Sequence, residues 1–154
     1  MENTIFKTVF DNFKSKITDD MYMELTPEDT ELLLGELLVS AIPHFEFPRK
    51  NIFDYDNANQ SFNIALDNEE INIISTYMIV EWFGQQLASI ENTRMKYSGS
   101  DFKFTSQANH MDKLLKMKKD YERMGFHLQR LYKRRKADEN GIMRSTFGQI
   151  MEEL

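Results

Sequence analysis

The chain has 154 residues, 41% hydrophobic and 29% charged, with 19 Lys and Arg against 25 Asp and Glu for a formal net charge of −6. That length suits a single domain whose core is large enough to fold without disulfides or metal, and the composition excludes both a disordered polyelectrolyte and a membrane protein. With no cysteine, a disulfide framework, a thiol nucleophile and cysteine-bearing zinc sites are excluded as well.

The first predicted element is a helix over Ile5 to Ile17, where Ile5, Phe6, Val9, Phe10, Phe13 and Ile17 form one apolar stripe and Asn3 or Thr4 is placed to cap. Thr18-Asp19-Asp20 breaks it, and Met21 to Leu25 reads as a short connector. Thr26-Pro27-Glu28-Asp29 then starts a second helix with a capping hydroxyl, a proline at the first helical position and acids at the positive dipole end. Leu32, Leu33, Leu34, Leu37, Leu38 and Ile42 carry it to Pro43, which stops it.

Between residues 52 and 66 the period changes to two. Phe53 and Tyr55 alternate with Asp54 and Asp56, and Phe62, Ile64 and Leu66 alternate with polar or small residues, so a small β-hairpin is expected. Asp67 and Glu70 form a capping box for a third helix. Ile71, Ile74, Met78 and Trp82 make its stripe; Ile73, Tyr77 and Val80 widen it enough to make this the buried central helix. Ser98-Gly99-Ser100-Asp101 is a loop. A fourth helix follows, with Met111, Leu114, Tyr121, Leu128 and Leu131 or Tyr132 at near-heptad spacing and Lys118 and Gly125 interrupting. It is expected to reach Lys136, about 45 Å in all, with its basic end projecting. Asp138 to Gly141 turns the chain into a tail, residues 142–154, where Met143, Phe147, Ile150, Met151 and Leu154 follow helical spacing. The fold class expected is mainly α: a bundle of four to five helices over residues 1–141, with a hairpin near 52–66 and an amphipathic C-terminal docking tail.

Charge is divided unevenly. Residues 1–93 carry 5 basic and 17 acidic groups, a balance of −12, and residues 94–154 carry 14 and 8, a balance of +6. The division suits opposite faces that steer partners or copies of the chain, or halves that pair internally.

Catalytic chemistry finds no support. His44, His110 and His127 lack metal-ligand spacing, there is no glycine-rich phosphate loop, and Asp54 and Asp56 have no second cluster to complete a site. A non-enzyme with no metal and no cofactor is expected. No apolar run approaches the roughly 18 residues of a membrane span, and the first residues lack a signal peptide's features, so a soluble chain made in the cytoplasm is expected, with no membrane partner. Candidate binding residues are the run Lys133, Arg134, Arg135 and Lys136, which suits phosphate contact or a solvated, protein-facing surface. With them go the tail groups Ile142, Met143, Phe147, Ile150, Met151 and Leu154, placed to dock on a partner or on the chain's own core.

Met78-Ile79-Val80-Glu81-Trp82, then Gln86, Ser89 and Asn92, then Asp101-Phe102-Lys103 and Ser106-Gln107-Ala108-Asn109-His110 carry a family likeness over about residues 67–125. This stretch resembles the head–tail connector (neck or adaptor) proteins of tailed bacteriophages of Gram-positive hosts. The resemblance implies a ring of about twelve copies with closed symmetry, docked beneath the portal protein in the virion neck. It further implies that the ring extends the DNA channel, with non-specific DNA contact, and seats the next neck or tail protein. The alternative expectation is a phage assembly chaperone or soluble regulatory binding protein, absent from finished particles.

Overall fold

The computed structural model describes residues 2–17, 26–96 and 104–147. Four helices dominate: α1 (Phe6–Lys16), α2 (Pro27–Ala41, continued by one 3₁₀ turn, Ile42–His44), α3 (Asn68–Lys96) and α4 (Phe104–Arg134). Two small antiparallel hairpins accompany them: β1 (Tyr55–Asp56) with β2 (Ser61–Phe62), and β3 (Arg135–Ala137) with β4 (Met143–Ser145). The architecture is thus a helical bundle with a hairpin where the period-two segment lies. The connector at 21–25 and the loop at 98–101 fall outside the described residues.

Local chemistry sets the starts of α2 and α3. Thr26 accepts the Asp29 N–H at 3.1 Å with Pro27 at the first position. Asp67 accepts the Glu70 N–H at 2.9 Å while Glu70 accepts the Asp67 N–H at 3.1 Å, closing the capping box. The start of α1 departs from expectation: its N-cap is Ile5, with no side-chain cap. Thr4 is occupied elsewhere, its hydroxyl accepting the Leu66 N–H at 2.8 Å. The reason is that residues 4–6 run as an extra edge along β2, with Thr4 N–H to the Ile64 carbonyl at 3.0 Å, Phe62 N–H to the Thr4 carbonyl at 2.8 Å and Phe6 N–H to the Gln60 carbonyl at 2.8 Å. The chain's start and the hairpin are therefore one unit, which answers the marginal stability of a lone hairpin. Phe6, Tyr55 and Phe62 lock it with edge-to-face ring contacts at 5.2–6.2 Å.

The first half of α3 is the axis of the core. Ile73 through Val80 are all buried, against α1 (Phe6, Val9, Phe10, Phe13) and α2 (Leu34, Leu37, Leu38, Ala41). Each such large apolar side chain contributes about 1.5–3 kcal/mol relative to exposure.

α4 returns antiparallel along α3. Its inward positions are Met111, Leu114, Lys118, Tyr121, Gly125, Leu128 and Tyr132, alternating steps of three and four, so Lys118 and Gly125 belong to the seam instead of interrupting it. Gly125 makes room for the Tyr77 ring: a Cβ there would lie 2.7 Å from Tyr77 Cζ. Gly84 does the reverse for the Lys118 stem, 3.8 Å from where its Cβ would be. Beyond Phe83 no residue of α3 is buried through Asn92, and before Gly125 only Leu114 of residues 108–124 is. The more exposed end of the helix pair is thus the one next to the α3–α4 connection. The basic end of α4, expected to project, is held at the core.

Candidate partner-binding surface

What holds that basic end is a loop that follows α2. Phe45 is buried edge-to-face on Tyr132, with ring centroids 5.1 Å apart. The Gln129 amide donates to Tyr77 Oη at 2.7 Å and to the His44 carbonyl at 2.8 Å, and accepts the Glu46 N–H at 2.8 Å. These three bonds offset the cost of taking the amide out of water. Arg49 stacks on Tyr132 at 3.9 Å and donates to the Tyr132 and Arg135 carbonyls. A guanidinium on the last carbonyls of a helix satisfies orphan acceptors and meets the negative dipole end together. His44 stacks flat on Tyr77 at 4.9 Å and lies 2.6 Å from Glu81. Burial pushes the Tyr77 and Tyr132 phenols above their ordinary range.

The basic run is split by this arrangement. Lys133 sits over the Phe47 ring at 3.9 Å. Arg135 turns back towards Glu69, 3.7 Å away, with its Nε buried. Arg134 and Lys136 remain exposed. The four side chains therefore do not form one phosphate-facing row, because α4 ends at Arg134 and the next two residues lie in a strand, whose side chains alternate.

The tail is the largest departure from expectation. Residues 143–145 form a strand, not a helix, paired with β3 in the register Arg135–Ser145, Lys136–Arg144 and Ala137–Met143. Apolar spacing is compatible with a helix there, but a local hydrogen-bond set decides otherwise. Asp138 accepts the N–H groups of Asn140 and Ile142, each at 2.9 Å, and the Arg144 guanidinium at 2.6 Å. These bonds hold its carboxyl below the usual carboxylate range. Gly141 supplies the positive φ of 78° that closes the turn. Thr146 then returns to α4, donating its N–H to the Arg134 carbonyl at 2.7 Å and its hydroxyl to the Lys133 carbonyl at 3.1 Å. The helix end and the strand satisfy one another.

The hairpin so built presents apolar groups to solvent: Ile142 is 54% exposed, Met143 42% and Phe147 73%. On its other face Lys136 and Arg144 stand directly opposite each other, a like-charge pairing that opposes strand association. A cleft of about 530 Å³ lies between them, Asp138 and Thr146. Of the sequence candidates, Ile142, Met143 and Phe147 are brought together with Arg134 and Lys136 at this end; Ile150, Met151 and Leu154 lie outside the described residues. Asp54 and Asp56 serve their own hairpin: Asp54 accepts from Asn63 at 2.7 Å, and Asp56 from the Ala58 N–H at 2.8 Å and the Asn59 amide at 2.6 Å.

Sequence reading missed the clamp of His44, Glu46 and Arg49 on α4. Its one visible signal was Gln129 and Tyr132, polar-bearing residues on the inward side of the helix. No described helix is long and apolar enough to cross a membrane. Comparison with protein-family models, with curated proteins and with solved structures finds no match for this chain.

Proposed function

We propose that the chain is a non-enzymatic structural component of a tailed-phage virion: a head–tail adaptor that forms a ring between portal and tail, extends the DNA channel and seats the next neck protein. The observation that carries this reading is the β3–β4 hairpin, a rigidly tied element that holds Ile142, Met143 and Phe147 in water beside the exposed cations Arg134 and Lys136. Exposed apolar groups clustered with cations are the composition of a docking surface. The sequence likeness over residues 67–125 supplies the kind of assembly. Rings use heterologous contacts, in which one face meets a different face of the neighbour, and the unequal charge of the two halves suits such contacts.

Quantitative mass spectrometry of phage particles released by the producing cells tests the reading. About a dozen copies per particle, the ring number that the family resemblance implies, is the expected result. Reproducible absence, with capsid protein readily detected, would replace the adaptor with an assembly chaperone or regulator that leaves the particle before completion.

A further inference from the structure

α2 carries a second uncovered surface. Leu32 is 65% exposed; with Gly35 and Val39 it floors a groove of about 550 Å³ whose rim includes Glu31, Glu36 and Gln85. No cation lines this groove among the described residues, and α2 itself holds four acids and no Lys or Arg. Space above Gly35 is open.

α4 carries the complement. Its 31 residues hold eight Lys and Arg against three Asp and Glu. On its outer side Leu115, Lys119, Arg123, Phe126 and Arg130 fall at steps of four, four, three and four, one continuous helical stripe. Phe126, 54% exposed, is its apolar centre, with Arg130 5.4 Å from the ring centroid. Neither surface covers the other within the chain, since Leu32 and Phe126 are both in water.

We propose that the α2 groove and the Phe126-centred stripe of α4 are the two halves of one head-to-tail contact between copies of this chain. The proposal rests on the self-assembling reading above and names its faces. An apolar knob flanked by cations meets an apolar floor flanked by acids, so burial and charge act together, and charge also rejects the like-with-like pairings. Because the two faces differ, every copy that offers its stripe still has an open groove, and the contact propagates from copy to copy, forming a ring where the rotation between copies closes.

The absence of native cysteine makes the test direct. Ser40→Cys at the groove and His127→Cys beside the stripe are made singly in the full chain; both positions are exposed and leave Leu32 and Phe126 in place, so the fold and the apolar contact are retained. Treated with a bifunctional thiol cross-linker, the mixture gives cross-linked dimer and each variant alone gives none. Glu31→Lys with Glu36→Lys abolishes the cross-link, and pairing that chain with Lys119→Glu and Arg123→Glu restores it. Cross-linking within one variant alone overturns the proposal, as does none in the mixture. If wild-type oligomers persist without the mixed cross-link, self-assembly stands and the faces are wrong. If the stripe instead retards duplex DNA with a steep salt dependence and no mixed cross-link forms, it is a nucleic-acid surface and the contact is refuted.

Discussion

Both hairpins turn on an aspartate. Asp56 takes N–H groups from Ala58 and Asn59, and Asp138 takes them from Asn140 and Ile142. Both are short and antiparallel. In the first, Phe62 is wholly buried and residues 4–6 run along its free edge. In the second, every residue of β4 is exposed, and the apolar side chains that adjoin it face water. The same turn chemistry therefore serves two ends: β1–β2 is part of the core, whereas β3–β4 is held out by it. Asparagine, aspartate and glycine fix where a chain reverses; which side chains flank the turn, and what they meet, fixes what the reversal is for.

The contrast is broken most severely by Phe62→Ala. Removing a fully buried ring that touches Phe6 and Tyr55 is expected to reduce stability by about 3–5 kcal/mol, read from denaturant midpoints. A loss below about 1 kcal/mol would mean that the first hairpin is as peripheral as the second, given the range expected for buried aromatics.

The α3–α4 seam gives a smaller effect with an internal control. Gly125→Ala places a methyl 2.7 Å from Tyr77, a ring already pinned by His44 and Gln129, and overpacking of this kind costs about 1–3 kcal/mol. Gly84→Ala meets only the flexible Lys118 stem at 3.8 Å, so helix propensity makes it stabilising by up to about 1 kcal/mol. Equal effects at the two glycines would contradict the seam assignment.

Smaller still is a pH effect at Glu70. Its carboxyl is fully buried, with Oε1 taking the Lys50 ammonium at 2.8 Å and Oε2 without a partner. Burial raises its pKa above the ordinary carboxylate value, and the hydrogen bond with Asp67 adds to that. A raised acid stabilises the fold most below its unfolded value, about 4.3. That contribution is lost as pH climbs through the raised folded value. Glu70→Gln cannot titrate, so its melting temperature should gain on wild type as pH is raised from about 4 to 7, across that window. Parallel melting profiles would show that Glu70 keeps its ordinary affinity for protons.

The parts of the fold written in local chemistry were legible in the sequence. Thr26-Pro27 and Asp67–Glu70 announce their helices by side-chain bonds to backbone three residues away, and the circumference of apolar groups from Ile71 to Trp82 marks the central helix. Long-range competition was not legible. Thr4 caps nothing because the Leu66 N–H, beyond β2, claims its hydroxyl across 62 residues of chain. The basic end of α4 does not project because Arg49, 83 residues before Tyr132, holds its carbonyls. The candidate site was half legible. Ile142, Met143 and Phe147 stood out as apolar groups beside a charged turn, but helical spacing hid the strand. Only the Asp138 bonds and the positive φ of Gly141 decide between the two.

Presentation of β3–β4 to a partner is tested most directly by one measurement. Ile142→Ser, Met143→Ser and Phe147→Ser are combined in one chain, and its incorporation into particles is compared with that of wild type. All three side chains are exposed, so circular dichroism and the melting temperature should be unchanged while the chain is lost from particles. Incorporation at the wild-type level by a folded triple variant would contradict the account and remove this hairpin from the assembly surface.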